Sequence, residues 1–96
     1  AFECAPELEG LHVLLVDDEE DGRTLGAMVL RRCGARVTEA DSAAAAFEAV
    51  KSSRPDVLVS DLGMPGEDGY SLIKKVRALR AEEGGRVPAA ALTAYA

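Results

Sequence analysis

The chain has 96 residues, of which 48% are hydrophobic and 29% charged, and its formal net charge at pH 7 is −6. A chain of this length forms one domain, and this composition is typical of a globular protein rather than a disordered one. The acidic balance argues against nucleic-acid binding, which needs clustered lysines and arginines. No apolar stretch approaches the roughly 20 residues of a membrane span, so we expect no membrane contact and a cytoplasmic location.

The first ten residues contain proline and glycine and show no sustained hydrophobic period. We therefore predict a linker or arm over residues 1–10, attached behind another domain, and one folded domain over residues 11–96. The two cysteines, Cys4 and Cys33, match no metal-ligand or redox spacing. We interpret Cys33 as a small buried hydrophobic residue on a helix face.

Strands and helices alternate along the rest of the chain. The pattern predicts strands over residues 11–16, 35–39, 56–60 and 87–92. It predicts helices over residues 20–33, from a cap at Asp41 or Ser42 to residue 53, and over residues 70–83. Short β-branched runs without polar alternation are typical of buried parallel strands. The order therefore predicts an α/β fold, a doubly wound parallel sheet with helices on both faces.

Apolar residues at helical spacing predict the buried face of each helix. These are Leu25, Met28, Val29 and Cys33 in the first helix, Ala43, Ala46, Phe47 and Val50 in the second, and Leu72, Ile73, Val76 and Leu79 in the third. Gly34 is expected to end the first helix in the left-handed conformation.

Acidic residues follow two of the predicted strands. Asp17 and Asp18 come directly after the first strand, and Asp61 comes directly after the third. Open α/β sheets bind their ligands at the carboxyl ends of the strands, so neighbouring strands would bring the three carboxylates together. Three like charges held close together are unfavourable unless a cation joins them. The sequence therefore predicts a metal site, with one carboxylate available for chemistry.

Four motifs, in this order and each near a strand end, resemble the receiver domain of two-component response regulators, which has a flavodoxin-like, CheY-like fold. They are Val16-Asp17-Asp18-Glu19, Asp61, Met64-Pro65 with Asp68-Gly69, and Leu92-Thr93-Ala94. The resemblance covers residues 11–96 and implies a strand order of 2-1-3-4. It ends before the fourth helix, the fifth strand and the fifth helix of that family.

The resemblance also implies a role for each acid. Asp61 is similar to the phosphoacceptor, which takes a phosphoryl group from a histidine kinase or a histidine phosphotransfer domain. Asp18 and Asp61 are similar to direct Mg²⁺ ligands, Asp17 to a ligand acting through water, and Gly63 to the residue whose backbone carbonyl completes the site. Mg²⁺ requires octahedral oxygen ligands and usually takes one or two carboxylates with phosphate oxygens. We expect phosphorylation to require Mg²⁺.

Other residues would shape and switch this site. Thr93 resembles the switch hydroxyl that turns towards the phosphoryl group and so changes a partner surface. Met64, Pro65 and Gly66 are expected to shape the loop after the third strand, because glycine lets backbone approach an ion or phosphate closely.

The resemblance further implies a lysine on the fifth strand that pairs with the phosphoryl group, and this chain contains no such lysine. Lys51, Lys74 and Lys75 all lie on predicted helices and cannot replace it. We therefore expect the chain to be a receiver that is incomplete at its C-terminus, for example from a hybrid sensor histidine kinase. Such a chain should bind Mg²⁺ but phosphorylate poorly. Its fourth strand would be an exposed edge, which favours a homodimer or segment exchange.

Less specific interpretations of the same residues stay open. The two acids after the first strand could form a solvated turn, with Asp18 as a helix N-cap. Asp61 could start a turn, and Thr93 could simply end a strand. His12 has no partner histidine or cysteine nearby, so we interpret it as structural or facing solvent. The basic residues of the third helix are expected to form its outer face; they are Lys74, Lys75, Arg77 and Arg80.

Two other function classes compete with phosphoacceptance. The first is a non-phosphorylated docking or dimerisation module that keeps only the fold. The second is an enzyme on a similar sheet, either a Mg²⁺-dependent phosphatase or a flavin protein. A dehalogenase-type phosphatase would need an aspartate two residues after the nucleophile, where Gly63 stands. A flavodoxin would need a hydroxyl- and glycine-rich loop after the first strand, where this chain has acids.

Overall fold

The computed structural model describes residues 4–61 and 69–92 of the chain. Its strands are β1 (His12–Val16), β2 (Arg36–Ala40), β3 (Val57–Asp61) and β4 (Ala89–Leu92). Its α-helices are α1 (Glu20–Arg32), α2 (Ala43–Ser53) and α3 (Gly69–Arg77), and short 3-10 helices cover Pro6–Leu8 and Ala81–Glu83. Within these described ranges, no helix is both long enough and apolar enough to cross a membrane.

The four strands form one parallel sheet in the order β2-β1-β3-β4, which confirms the predicted doubly wound fold. Strand β1 lies between two neighbours, and all five of its residues are buried. The register pairs Val16 with Ala40 of β2 and with Ser60 of β3. The carboxyl ends of these three strands therefore lie side by side at one edge of the sheet.

Helices α2 and α3 cover the core with the faces that their sequences predict. Leu14 and Leu58 from the sheet are fully buried together with Ala46, Val50, Leu72 and Val76 from the two helices. Helix α2 begins after Ser42, whose Oγ accepts the backbone N–H of Ala45 at 3.1 Å. Ser42 rather than Asp41 is therefore the cap.

Helix α1 buries only part of the face that its sequence predicts: Cys33 is buried and Val29 half-buried. Leu25 and Met28 were expected in the core, but they are 57% and 50% exposed. The fully buried residue is Ala27. At Gly26 a Cβ atom would lie 3.1 Å from Cδ2 of Leu15, so the helix approaches β1 closely through small residues. The larger apolar residues are left on the side away from the sheet.

Helix α3 is shorter than predicted, because it ends at Arg77 and not at Glu83. The chain then folds back against the end of the helix. The backbone N–H of Gly85 donates to the carbonyl of Arg80 at 3.1 Å, and Nη1 of Arg77 donates to the carbonyl of Gly85 at 2.9 Å. A Cβ atom at Gly85 would collide with the carbonyl of Leu79. This tight return is incompatible with a continuous helix.

The arm is linked covalently to the domain by a disulfide between Cys4 and Cys33, whose Cα atoms lie 5.2 Å apart. Cys33 is buried, as predicted, but interpreting it as only a small hydrophobic residue was wrong. The turn of α1 back to the start of the sheet brings together two residues that are 29 apart in sequence. Gly34, at φ +87°, is the predicted left-handed residue, and its carbonyl accepts the N–H of Gly10 at 2.9 Å.

His12 has a structural role at the start of β1, as the sequence analysis expected. Its Nε2 lies 2.8 Å from Oγ1 of Thr38 on the neighbouring strand. Its backbone N–H donates to Oδ2 of Asp56 at 2.8 Å. Asp56 therefore lies at the amino ends of the strands, whereas the acids that follow β1 lie at the carboxyl ends.

Candidate metal centre

Three carboxylates meet at the edge of the sheet where β1 and β3 end. Asp17, Asp18 and Asp61 each offer one oxygen atom, and these atoms all lie within 4.8 Å of one another. The parallel register of β1 and β3 produces this arrangement, since the residues after Val16 lie beside the end of β3. We refer to the three residues as the acidic cluster.

Asp17 is held in place by the backbone around it. Its N–H donates to the carbonyl of Ala40 at 3.1 Å, and its Oδ1 accepts the N–H of Glu19 at 2.9 Å. Glu19 is the N-cap of α1 and makes no side-chain capping bond. Interpreting Asp18 as the helix cap was therefore wrong. Asp18 is exposed, and Asp17 is half-buried.

Asp61 is the last residue of β3, where it pairs with Leu92 of β4. It is half-buried, so it remains partly accessible to solvent. Ser60, just before it, is 2% exposed, and its Oγ donates to the carbonyl of Asp61 at 3.3 Å. Asp61 thus belongs to the sheet, and its interpretation as the start of a turn stays a prediction, because the next residues lie outside the described ranges.

Two residues that the sequence analysis missed adjoin Asp17. Nη1 of Arg23 donates to the carbonyl of Asp17 at 3.0 Å, and Nε of Arg23 lies 3.4 Å from Oε1 of Glu39. A Cβ atom at Gly22 would lie 2.9 Å from Oδ2 of Asp17. Both residues lie in the first turn of α1. The signal in the sequence is their position five and six residues after Asp17. That spacing places them beside Asp17 only when the helix is known to begin at Glu20.

Several predicted site residues lie outside the described residues. They are Gly63, Met64, Pro65, Gly66 and Thr93. Their roles as ligand, loop-shaping residues and switch stay predictions. The three lysines considered as substitutes for the family lysine lie on α2 and α3, as the sequence predicts. One of them, Lys51, contacts Glu48 at 3.1 Å.

The donor set of the acidic cluster fits a hard divalent cation. All three donors are carboxylate oxygens, the ligands that Mg²⁺ takes in proteins, whereas zinc sites use mostly sulfur and nitrogen. The close approach of three like charges is unfavourable by itself, and a divalent cation would relieve it. The cluster is partly exposed, so its carboxylates remain in contact with solvent.

Comparison with known proteins identifies the family and several relatives of this chain. The family model for the response regulator receiver domain matches residues 13–96. An uncharacterized 14.6 kDa protein of Leptolyngbya boryana is 44% identical over 89 residues, which cover 93% of this chain and 66% of that protein. Hybrid signal transduction histidine kinase D of Dictyostelium discoideum is 40% identical over 74 residues, covering 73% of this chain and 5% of the kinase.

A solved structure gives the same result for the fold. The receiver domain of a sensor histidine kinase from Pseudomonas aeruginosa PAO1 superposes with a TM-score of 0.80 at 38% identity. The match covers 88% of this chain and 68% of that one. That structure holds a magnesium ion coordinated in its active-site cleft. The chain thus spans about two thirds of the length of these two shorter relatives, and a small part of the Dictyostelium kinase.

Proposed function

Because the chain belongs to the response regulator receiver domain family of two-component signalling, we propose that it acts as a Mg²⁺-dependent phosphoacceptor in which Asp61 carries the phosphoryl group. The observation that supports this most directly is the convergence of Asp17, Asp18 and Asp61 within 4.8 Å. We assign this function to residues 11–96, with residues 1–10 as an arm, in a cytoplasmic protein. The proposed domain is regulatory and turns over no substrate.

The acidic cluster would hold the ion. Asp18 and Asp61 would bind it directly, Asp17 through water, and the carbonyl of Gly63 would complete the protein ligands. When bound, Mg²⁺ neutralises the charge that the donor phosphate and the carboxylates bring together. The hydrogen bonds from the N–H of Asp17 to Ala40 and from the N–H of Glu19 to Oδ1 of Asp17 would keep Asp17 oriented in the absence of a donor.

In the proposed reaction a carboxylate oxygen of Asp61 attacks the phosphorus atom of a phosphohistidine. An O–P bond forms and the P–N bond breaks, and the electron pair of the broken bond returns to the imidazole nitrogen. The product on this chain is an aspartyl phosphate, an acyl phosphate. Asp61 is suited to this step because it is only half-buried and so remains accessible to a donor.

The donor would be a histidine kinase or a histidine phosphotransfer domain, since relatives include hybrid kinases that contain such a receiver. After transfer, Thr93 would turn its hydroxyl to the phosphoryl oxygens and alter the surface that a partner reads. The loop containing Met64, Pro65 and Gly66 would line the same pocket. The charge of the phosphoryl group on Asp61 would thereby shift the segment that contains Thr93 from one conformation to another.

The first test is phosphorylation of the whole gene product by acetyl phosphate or phosphoramidate, followed by intact mass. We expect a gain of one phosphoryl group that requires Mg²⁺ and disappears in Asp61→Asn. Asp41→Asn is the matched control, because it removes an exposed acid outside the cluster. A mass gain that persists in Asp61→Asn, or that is unchanged when EDTA removes Mg²⁺, would contradict the proposal.

A docking or dimerisation module is the second candidate, and strand β4 favours it. Among the described residues β4 pairs on one side only, with β3, and Ala89 and Ala90 are exposed. An open sheet edge can pair with a second copy as a homodimer or by segment exchange. Light scattering across a concentration series tests association, and a Mg²⁺ titration separates the two functions, since a pure scaffold needs no ion.

A further inference from the structure

Arg23 connects helix α1 to the two strand ends beside it. Its side chain is only 18% exposed, which is low for an arginine. Nη1 donates to the carbonyl of Asp17 at 3.0 Å, while Nε lies 3.4 Å from Oε1 of Glu39 on β2. One guanidinium therefore joins the turn after β1 to the edge strand, through a planar group whose donors have fixed directions.

The contact from Arg23 is one of four constraints on Asp17. The other three are the N–H bond to Ala40, the bond from the N–H of Glu19 to Oδ1, and the close approach of Gly22 to Oδ2. Three of the four fix the backbone or carboxylate by hydrogen bonds, and Arg23 supplies the only side-chain donor among them. The turn that carries Asp17 and Asp18 is thus held by α1 as well as by the sheet.

A guanidinium bonded to the backbone of Asp17 has two opposite physical effects on a divalent cation held by the acidic cluster. Its positive charge repels the cation, so by charge alone removing it would strengthen binding. Its hydrogen bond orients the turn that holds the ligands, so by geometry removing it would weaken binding. The sign of the change in Mg²⁺ affinity therefore distinguishes the two effects.

We propose that Arg23, itself oriented by Glu39, is a positioning residue that sets the Asp17–Asp18 turn in the geometry a divalent cation requires. This inference rests on the proposed function, because it concerns the same acidic cluster. Arg23 touches neither the phosphoryl group nor the reacting atoms; it acts through the backbone of Asp17. Glu39 contributes by neutralising the guanidinium and fixing its direction.

The test measures Mg²⁺ affinity by isothermal titration calorimetry in Arg23→Met, which keeps the length of the side chain and removes its charge and donors. We expect binding about tenfold weaker, the lower end of the range for outer-shell residues of metal sites. Arg23→Lys keeps the charge but not the fork of donors, and it should recover only part of the loss. Tighter or unchanged binding in Arg23→Met would overturn the proposal.

Arg31→Met is the matched control, because Arg31 also contacts Glu39, at 3.3 Å, but is 51% exposed and donates to Val37 instead of Asp17. Its Mg²⁺ affinity should stay within about twofold of the wild type, given the small effect expected of a surface ion pair. Equal losses of Mg²⁺ affinity in Arg31→Met and Arg23→Met would overturn the proposal. They would show that any loss of a cation paired with Glu39 weakens binding, whatever its contact with Asp17.

A second measurement separates this inference from the proposed function. In metal-free protein, NMR hydrogen exchange at the amide of Glu19 reports whether its bond to Oδ1 of Asp17 persists. Arg23→Met should speed this exchange while Arg31→Met leaves it unchanged, and equal protection in all three proteins would overturn positioning. A wild type that binds no Mg²⁺ would overturn the proposed function, whereas the exchange result decides the role of Arg23 independently.

Discussion

A Cβ atom added to Gly22 would lie 2.9 Å from Oδ2 of Asp17, so the first turn of α1 approaches the acidic cluster through a residue without a side chain. The obstructing atom is the end of a side chain rather than backbone. A residue larger than glycine would therefore displace the carboxylate of Asp17 while leaving the fold intact.

This relationship predicts the effect of Gly22→Ala. Alanine is favoured over glycine inside a helix by about 1 kcal/mol, so the melting temperature without metal should stay the same or rise. The Mg²⁺ affinity should nevertheless fall about tenfold, as for displaced outer-shell groups. Calorimetric titration and thermal unfolding of the same samples measure both quantities.

Gly26→Ala is the control for this substitution. It brings the same gain in helix propensity one turn later, where its Cβ would meet Cδ2 of Leu15 at 3.1 Å, a flexible apolar group. Mg²⁺ affinity should not change in this variant. If both variants lose affinity equally, the close approach of Gly22 to Asp17 has no special role in the site.

The exposed apolar residues of α1 give a second prediction. Leu25 and Met28 lie on the helix that begins at the acidic cluster, and both are at least half exposed. We predict that a protein donor reaching Asp61 docks on these two exposed side chains of α1. The double variant Leu25→Ser, Met28→Ser should slow transfer from a phosphohistidine domain and leave phosphorylation by acetyl phosphate unchanged. Equal slowing with both donors would indicate damage to the site itself.

The disulfide predicts how stability responds to reduction. Cross-linking residues 29 apart in sequence restricts the unfolded chain and stabilises the fold by about 3–4 kcal/mol in the chain-entropy description. Urea unfolding with and without dithiothreitol should show a loss of this size in the wild type. Cys4→Ser should be less stable and insensitive to the reductant. Intact mass after alkylation must show no free thiol before reduction; two free thiols would contradict the bond.

Glu83 gives a prediction for pH. The backbone N–H of Arg80, at 3.1 Å, and then its Nε, at 3.2 Å, hold the pKa of the Glu83 carboxyl below its ordinary value of 4.5. Its contribution to stability is therefore present above pH 4.5 and is lost as the pH falls through the lowered pKa. Glu83→Gln should melt slightly lower than the wild type at pH 7 and equally at about pH 2. An equal difference at both pH values would exclude ionisation as the cause.

The acidic cluster could be predicted from the sequence because strand order and side-chain identity suffice for it. Asp17, Asp18 and Asp61 follow buried apolar runs, and parallel strands align their carboxyl ends. The buried faces of α2 and α3 could be predicted in the same way, since apolar residues recur along them at helical spacing. Both predictions depend on pattern alone and need no knowledge of contact distances.

Other features depend on close contacts that periodicity does not encode. In α1 the buried residue is Ala27, and the helix approaches β1 closely at Gly26, so the hydrophobic spacing of Leu25 and Met28 wrongly predicted that these two residues are buried. The shortening of α3 depends on a turn after the helix, in which Gly85 contacts the carbonyls of Leu79 and Arg80. The pairing of Cys4 with Cys33 depends on where α1 returns the chain. Each of these follows from the assembled fold, not from a local motif.

Helix α1 runs from the acidic cluster at its first turn to the disulfide just beyond its last, over 13 residues, or roughly 20 Å at 1.5 Å per residue. The disulfide and the acidic cluster thus lie at opposite ends of the same helix. A fluorophore coupled to the exposed Cys4 after reduction would lie at the far end of α1 from the acidic cluster, so it could report ion or phosphate binding in a domain that has lost the stabilisation of the disulfide.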